Sequence, residues 1–197
     1  MVRQEDGSPD RPLTKRQEAL LAALWDMFDK EGFSQLTIDE ISSRLRCSKA
    51  SLYRLAPSKD DLVVRVIDHR GQGMLAELEA KMALAETAAA RLKVFFHVVR
   101  ERDRHFSARF FADTMAFRPT REQWEYGTRD GVARLARLID AGIESGEFRP
   151  VPASLTAFII GYVADDIRRG DVTRVTGVPA EDSYDDLLTF VLCALNP

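Results

Sequence analysis

Residues 36–55 read LTIDEISSRLRCSKASLYRL, and the fold turns on them. Thr37-Ile38-Asp39-Glu40 has the form of a capping box, in which the Thr hydroxyl and the Glu carboxylate satisfy amides that a helix start leaves without partners. Leu36 and Ile41 flank the box as a staple, and Ile38, Ile41 and Leu45 carry an apolar face for only two turns. Ser48 then offers a second cap, with Lys49-Ala50-Ser51-Leu52-Tyr53-Arg54 as a short helix beyond it. The pattern predicts two short helices that meet across a tight turn. Its charge also stands out from the rest of the chain. The net formal charge is −3, which argues against indiscriminate coating of nucleic acid. Between Ser42 and Lys59, however, stand Arg44, Arg46, Lys49, Arg54 and Lys59, with no acidic residue among them. From charge alone this is either a solvated basic face or a surface for phosphates.

Outward from this stretch, the apolar residues before it recur at Leu20, Leu21, Leu24 and Phe28, the spacing of an amphipathic helix, and Gly32 supplies a left-handed stop. Residues 1–12 mix Pro, Gly, Ser and charges without periodicity and read as a flexible arm. Arg3 and Arg11 in that arm either reach DNA or belong to an uninvolved tail. On the other side, Pro57-Ser58-Lys59-Asp60-Asp61 marks a third helix start, with Ser58 as cap and Asp61 as the third-position carboxylate. Leu62, Val63, Val66, Ile67, Met74, Leu75 and Leu78 continue it as a long helix whose middle Gly71 and Gly73 weaken.

Taken in order, Gly32-Phe33, Leu36 to Ile41, Ser48 to Tyr53 and Pro57 to Leu62 resemble the DNA-binding domain of TetR-type (tetracycline-repressor-like) regulators over about residues 14–70. Two positions depart from the pattern: Arg46 stands at the turn glycine, and Ala56 stands where an aromatic is usual. A left-handed backbone costs a non-glycine residue more, and Arg46 in exchange brings a guanidinium toward a phosphate. In a helix-turn-helix the second helix enters the major groove and neighbouring elements hold phosphates. Lys49 is suited to donate to a base or a phosphate, Ser51 is small and hydrogen-bonding, and Ala50 permits close approach or contact with a thymine methyl. The resemblance implies phosphate contacts from Tyr53 and Lys59. Thr37, Arg46 and Ser48 complete the expected DNA-facing set.

The remaining two-thirds is helical and aromatic. Leu92, Phe95, Phe96 and Val99 share one helical face, and Phe106, Phe110, Phe111, Met115 and Phe117 follow. With His97, Arg100 and His105 among them, these residues line either an apolar ligand cavity or an ordinary core. The resemblance selects the cavity, with Phe95, Phe96, Val99, Phe106, Phe110, Phe111, Met115, Trp124 and Tyr126 as its expected wall. A further helix is predicted from about Thr120 to Ser145, and two more from about Ala153 to Arg169 and Tyr184 to Leu195, separated by a loop over residues 170–182. The last two carry broad apolar stripes, Leu155, Phe158, Ile159, Tyr162 and Val163 on one and Leu188, Val191, Leu192 and Leu195 on the other. Such stripes close a monomeric core or pair with a second copy; the resemblance implies a four-helix dimer interface.

The expected fold is therefore all-α with about nine helices: an arm at 1–12, a helix-turn-helix domain at 13–57, a connecting helix at 58–82, and a ligand-binding and dimerisation domain at 83–197. A composition of 45% hydrophobic and 30% charged residues fits a globular protein able to build a full core. No apolar run is long enough to span a bilayer and the first residues lack a signal peptide's apolar stretch, so a cytoplasmic protein without a membrane partner is expected. Cys47 and Cys193 read as free thiols, and neither they nor the histidines have metal-ligand spacing. No cofactor, metal or catalytic group is expected. The implied function is a DNA-binding regulator, most simply a repressor that binds a near-palindromic operator as a homodimer and is released by a small, largely apolar effector. The rivals are a ligand-independent DNA-binding or adaptor protein and a small helical enzyme using His97 or His105.

Overall fold

The computed structural model describes residues 12–104 and 106–197. Arg3, Arg11 and His105 lie outside the described residues. The all-α expectation holds: ten helices and no strand are found among the described residues. They group into two compact units, one comprising the chain up to Gln72 with Ser107–Arg121, the other Gly73–Phe106 with Glu122–Pro197.

The first unit begins with α1 (Lys15–Glu31), whose Thr14 and Gln17 form a capping box. Helices α2 (Ile38–Arg44) and α3 (Lys49–Tyr53) follow, and α4 (Lys59–Ala83) starts at Ser58, whose hydroxyl accepts from the Asp61 amide at 3.1 Å. The core is Leu21, Leu24 and Phe28 of α1 packed with Ile41, Leu52, Leu55 and Leu62, each at most 2% exposed. Burying such side chains contributes on the order of 1.5–3 kcal/mol each. Helix α6 (Ala108–Ala116) belongs here too, although the sequence reading placed it with the carboxy-terminal part. Phe110 explains why: its ring lies 5.2 Å from Trp25 and 6.1 Å from Phe33 in edge-on contacts, and Phe117 meets Phe33 at 6.5 Å.

The second unit contains α5 (Ala88–Arg104), most of α7 (Arg118–Glu144), α8 (Ala153–Arg168), α9 (Asp171–Thr176) and α10 (Ala180–Leu195). Leu92 and Phe96 of α5, Leu135 and Ile139 of α7, Ala157 and Ile160 of α8, and Val191 and Leu195 of α10 form one core. Glu147 caps α5 by accepting from the amides of Ala88 and Ala89 at 2.9 and 3.3 Å. Helix α7 starts two residues earlier than expected, with Pro119 inside its first turn, where a missing N–H costs nothing. The tenth helix is α9, in the stretch expected to be loop. Gly170 and Gly177, both left-handed, bracket it, and none of its residues is buried, so it left no apolar periodicity to read.

Candidate functional site

The helix-turn-helix forms as its caps dictate. Thr37 Oγ1 accepts from the Glu40 amide at 3.2 Å, and Glu40 accepts in return from the Thr37 amide at 2.8 Å. The Thr37 amide, joined by the Thr37 hydroxyl at 2.8 Å, holds the Glu40 carboxyl below its ordinary range. Ser48 Oγ accepts from the Ser51 amide at 3.2 Å and lies 2.9 Å from the Ser51 hydroxyl. The turn between α2 and α3 passes through Arg46 at φ +50°, the single non-glycine residue with positive φ among those described. The left-handed turn is thus made without a glycine. Ile41 and Leu52 fix the two helices from below, each almost fully buried.

The unit's outer surface then presents Arg46, Lys49, Ala50 and Tyr53, all exposed, with Tyr53 half accessible. Lys49 Nζ is ion-paired with Asp39 of α2, and that hydrogen bond raises its pKa. Lys59 Nζ donates to the Ser34 carbonyl at 2.9 Å, which ties the start of α4 to the α1–α2 loop. Ser51 is 8% exposed, and its hydroxyl is engaged by Ser48 and by Arg54 Nη2 at 3.2 Å. It braces α3 from within, while Lys49, Ala50 and Tyr53 face outward. Thr37 and Ser48 are exposed but their hydroxyls serve as caps.

Sequence reasoning missed Asp113. From α6 its Oδ2 accepts from the amides of Phe33 at 2.7 Å and Ser34 at 2.8 Å, holding the loop ahead of α2. Burial pushes the Asp113 carboxyl up, but the hydrogen bonds from Ser34 and Phe33 outweigh it and hold the group below its ordinary value. Gly32 at φ +77° leaves room for it, because a Cβ there would run into the Asp113 carboxylate and approach Arg109 Cγ to 2.9 Å. With 80 residues separating donor and acceptor, no local motif announces this contact.

The second unit holds a cavity of about 70 Å³. Phe95, Phe96 and Val99 of the expected wall line it, together with residues of α7 and α8 that were not foreseen, among them Gly131, Ile160 and Arg168. Phe106, Trp124 and Tyr126 are not among the described lining residues; Phe106 packs on Trp124 at 5.5 Å, and Tyr126 is exposed. Phe110, Phe111 and Met115 sit on α6 in the first unit. Beside the cavity lies a charged cluster centred on Asp103. Its carboxylate accepts from Arg102 Nε at 2.5 Å, from Arg168 Nε at 3.2 Å and from the Tyr184 hydroxyl. Burial raises the Asp103 carboxyl, yet the Arg102 and Arg168 charges prevail and keep it ionised. Burial and the facing Asp103 push the Tyr184 phenol up.

The apolar stripes divide. Leu155, Phe158, Ile159 and Tyr162 of α8 are more than half exposed, and Phe158 stacks on Tyr162 at 6.5 Å. Val163, Leu188 and Leu192 are half-buried. Val191 and Leu195, expected in a dimer contact, are 3% and 1% exposed and belong to the chain's own core. The outward side of α10 carries Phe190 instead, a residue outside the predicted stripe.

Among the described residues no group of three or more His, Cys, Asp or Glu is placed to hold a metal ion, and no helix is long and apolar enough to cross a membrane. Cys47 and Cys193 are free thiols, and burial pushes the Cys47 thiol up.

Comparison with known proteins agrees with this geometry. The sequence pattern of the bacterial regulatory proteins of the tetR family matches residues 20–66. An uncharacterized HTH-type transcriptional regulator of Mycobacterium tuberculosis is 39% identical over 53 residues, 27% of this chain and 26% of that protein. The match thus spans about a quarter of the relative's length. Among solved structures, a transcriptional regulator from Saccharomonospora viridis in complex with choline superposes with a TM-score of 0.78 at 17% identity, over 94% of this chain and 100% of that one. A TetR transcription regulator from Haloarcula marismortui gives 0.76 at 16% identity, over 94% and 100%. At such identities these two establish the fold, while the matched sequence lies in the module that carries the capped α2–α3 pair. The chain thus carries a segment, residues 20–66, that matches the tetR family of bacterial regulatory proteins, on an all-helical fold similar across nearly its whole length to that of the solved regulators.

Proposed function

We propose that the protein is a dimeric, sequence-specific binder of double-stranded DNA that regulates transcription, most simply as a repressor, and that a small molecule in the second unit releases it. The observation that carries this reading is the exposed face of α3, where Lys49, Ala50 and Tyr53 project from a helix locked by Ser48 and Leu52. A short rigid helix with a basic and an aromatic side chain suits a major groove flanked by phosphates. Lys49 exchanges its Asp39 partner for a base or phosphate, and Tyr53, Arg46 and Lys59 hold the backbone. The α4 start helps with its dipole.

The exposed face of α8 supports the dimer, since a cluster of Leu155, Phe158, Ile159 and Tyr162 in water marks an interaction surface. A two-fold pairing sets two reading helices roughly 34–36 Å apart and makes the operator near-palindromic. The effector reading draws support from the cavity and from the choline-bound neighbour of the same fold. Ligand bound there favours one conformation of α4, whose first turn holds Lys59, and operator affinity falls. The protein would then act in the cytoplasm, without catalytic activity of its own.

Selection of bound duplexes from a random pool tests the reading. A recovered inverted repeat, bound by the wild type and lost in Tyr53→Ala/Lys59→Ala with the helical fold retained, is the expected result. No enrichment, or undiminished binding by the double variant, rejects it.

A further inference from the structure

We infer that the cavity of the second unit takes a small apolar organic carboxylate, with its anionic end against Arg168. The regulatory consequence rests on the effector reading above; the binding itself does not. The cavity wall is apolar through Phe95, Val99 and Ile160, and its two charged lining residues, Arg102 and Arg168, are both guanidinium groups. The Arg168 side chain is 5% exposed. Its Nε donates to Asp103 at 3.2 Å and its Nη2 lies 3.0 Å from Asp165, but its Nη1 is buried with no hydrogen-bond partner among the described residues. Both acidic neighbours are engaged by other groups as well. Asp103 already accepts from Arg102, Arg168 and Tyr184, and Asp165 is shared with Arg169 Nη1 at 3.0 Å.

The lining therefore combines an apolar chamber, two guanidinium groups and, on Arg168, one fixed charged donor without a partner among the described residues. An apolar molecule with a carboxylate meets all three, because a charge-assisted hydrogen bond satisfies an Nη1 that is buried without a partner among the described residues. A neutral amide supplies the acceptor without the charge, and a cation meets two guanidinium groups in a low-dielectric site. Size narrows the class further. A volume of about 70 Å³ is roughly two waters' worth of liquid and suits a short chain rather than a ring.

Isothermal titration of the full-length chain with butyrate, hexanoate, hexanamide and hexylammonium tests this. One of the two carboxylates should bind saturably, at least tenfold more tightly than the amide, and the ammonium should give no saturable heat. Arg168→Gln should abolish the preference for acid over amide. Because that change also disturbs Asp103, a second variant leaves the charges alone. Gly131, half-buried on α7, lines the cavity, and a Cβ built there meets no atom within 4 Å. Gly131→Leu should keep the thermal midpoint and lose carboxylate binding by more than tenfold. Equal binding of acid and amide, preference for the ammonium, undiminished binding by Gly131→Leu, or no saturable binding of either carboxylate overturns the inference. Binding as described with unchanged operator affinity leaves the inference standing and removes the effector reading instead.

Discussion

Replacing Arg46 by Gly separates the backbone strain at this residue from the phosphate contact proposed for it. Its φ of +50° places an L-residue in the left-handed region, at a cost of about 1–2 kcal/mol that glycine does not bear. Glycine gives back about 0.4–1 kcal/mol through the greater freedom of the unfolded chain. The net expectation for Arg46→Gly is a gain of about 0.5–1 kcal/mol, or about 1–4 °C in melting temperature for a chain of this size. DNA binding should change the other way. Loss of one phosphate contact lowers the log–log salt slope by about 0.9 for each reading head, so about 1.8 for a dimer. Arg46→Ala is the necessary companion, since it removes the guanidinium and keeps the strained backbone. Calorimetry should therefore show Arg46→Gly above wild type and Arg46→Ala not. Operator titrations between low and moderate salt should show the two variants alike, both weaker and both shallower in slope. Equal melting temperatures for the two variants refute the strain argument. Salt slopes indistinguishable from wild type refute the phosphate role.

Three further expectations follow from particular contacts. Asp113→Ala removes the acceptor for the Phe33 and Ser34 amides and should cost roughly 2 kcal/mol in urea unfolding, with Asp113→Asn intermediate; no loss would mean the α6 contact is incidental. Because the folded-state pKa of Asp113 is depressed, its contribution is complete above the unfolded carboxylate range and lost as pH falls through the folded value, so wild type and Asp113→Ala should converge in stability in acid; a constant gap down to pH 2 would contradict this. Phe158→Asp on the exposed face of α8 should convert the proposed dimer to monomer by light scattering without lowering helicity, and a persistent dimer would move the interface elsewhere.

What the sequence revealed and what it hid separate by contact range. The caps at Thr37, Ser48 and Ser58 were legible because donor and acceptor lie three residues apart, and the turn at Arg46 was legible from the spacing between two capped starts. Asp113 beneath Phe33, Glu147 at the start of α5 and Asp103 between Arg102, Arg168 and Tyr184 were not, since each joins parts of the chain 58 or more residues apart or depends on which faces meet. The aromatic run from Phe95 to Phe117 misled for the same reason. Composition groups those rings, but the chain divides them between two units at Phe106 and Ser107.

Helix α8 shows where periodicity stops being informative and a physical argument takes over. Ala157, Ile160 and Ile167 face inward, while Leu155, Phe158, Ile159 and Tyr162 face water, so the helix is apolar on both sides. A stripe on one side is explained by the chain's own core, but a helix apolar all round is stable in water only when something covers the second side. Alpha10 adds Phe190 outward while Val191 and Leu195 turn inward, which again divides one apolar helix between two surroundings. A second copy is the simplest cover, because a two-fold contact lets the same outward residues meet themselves and closes without leaving a free face. That geometry would also give a protein with one five-residue reading helix the two heads it needs to recognise a site with useful affinity.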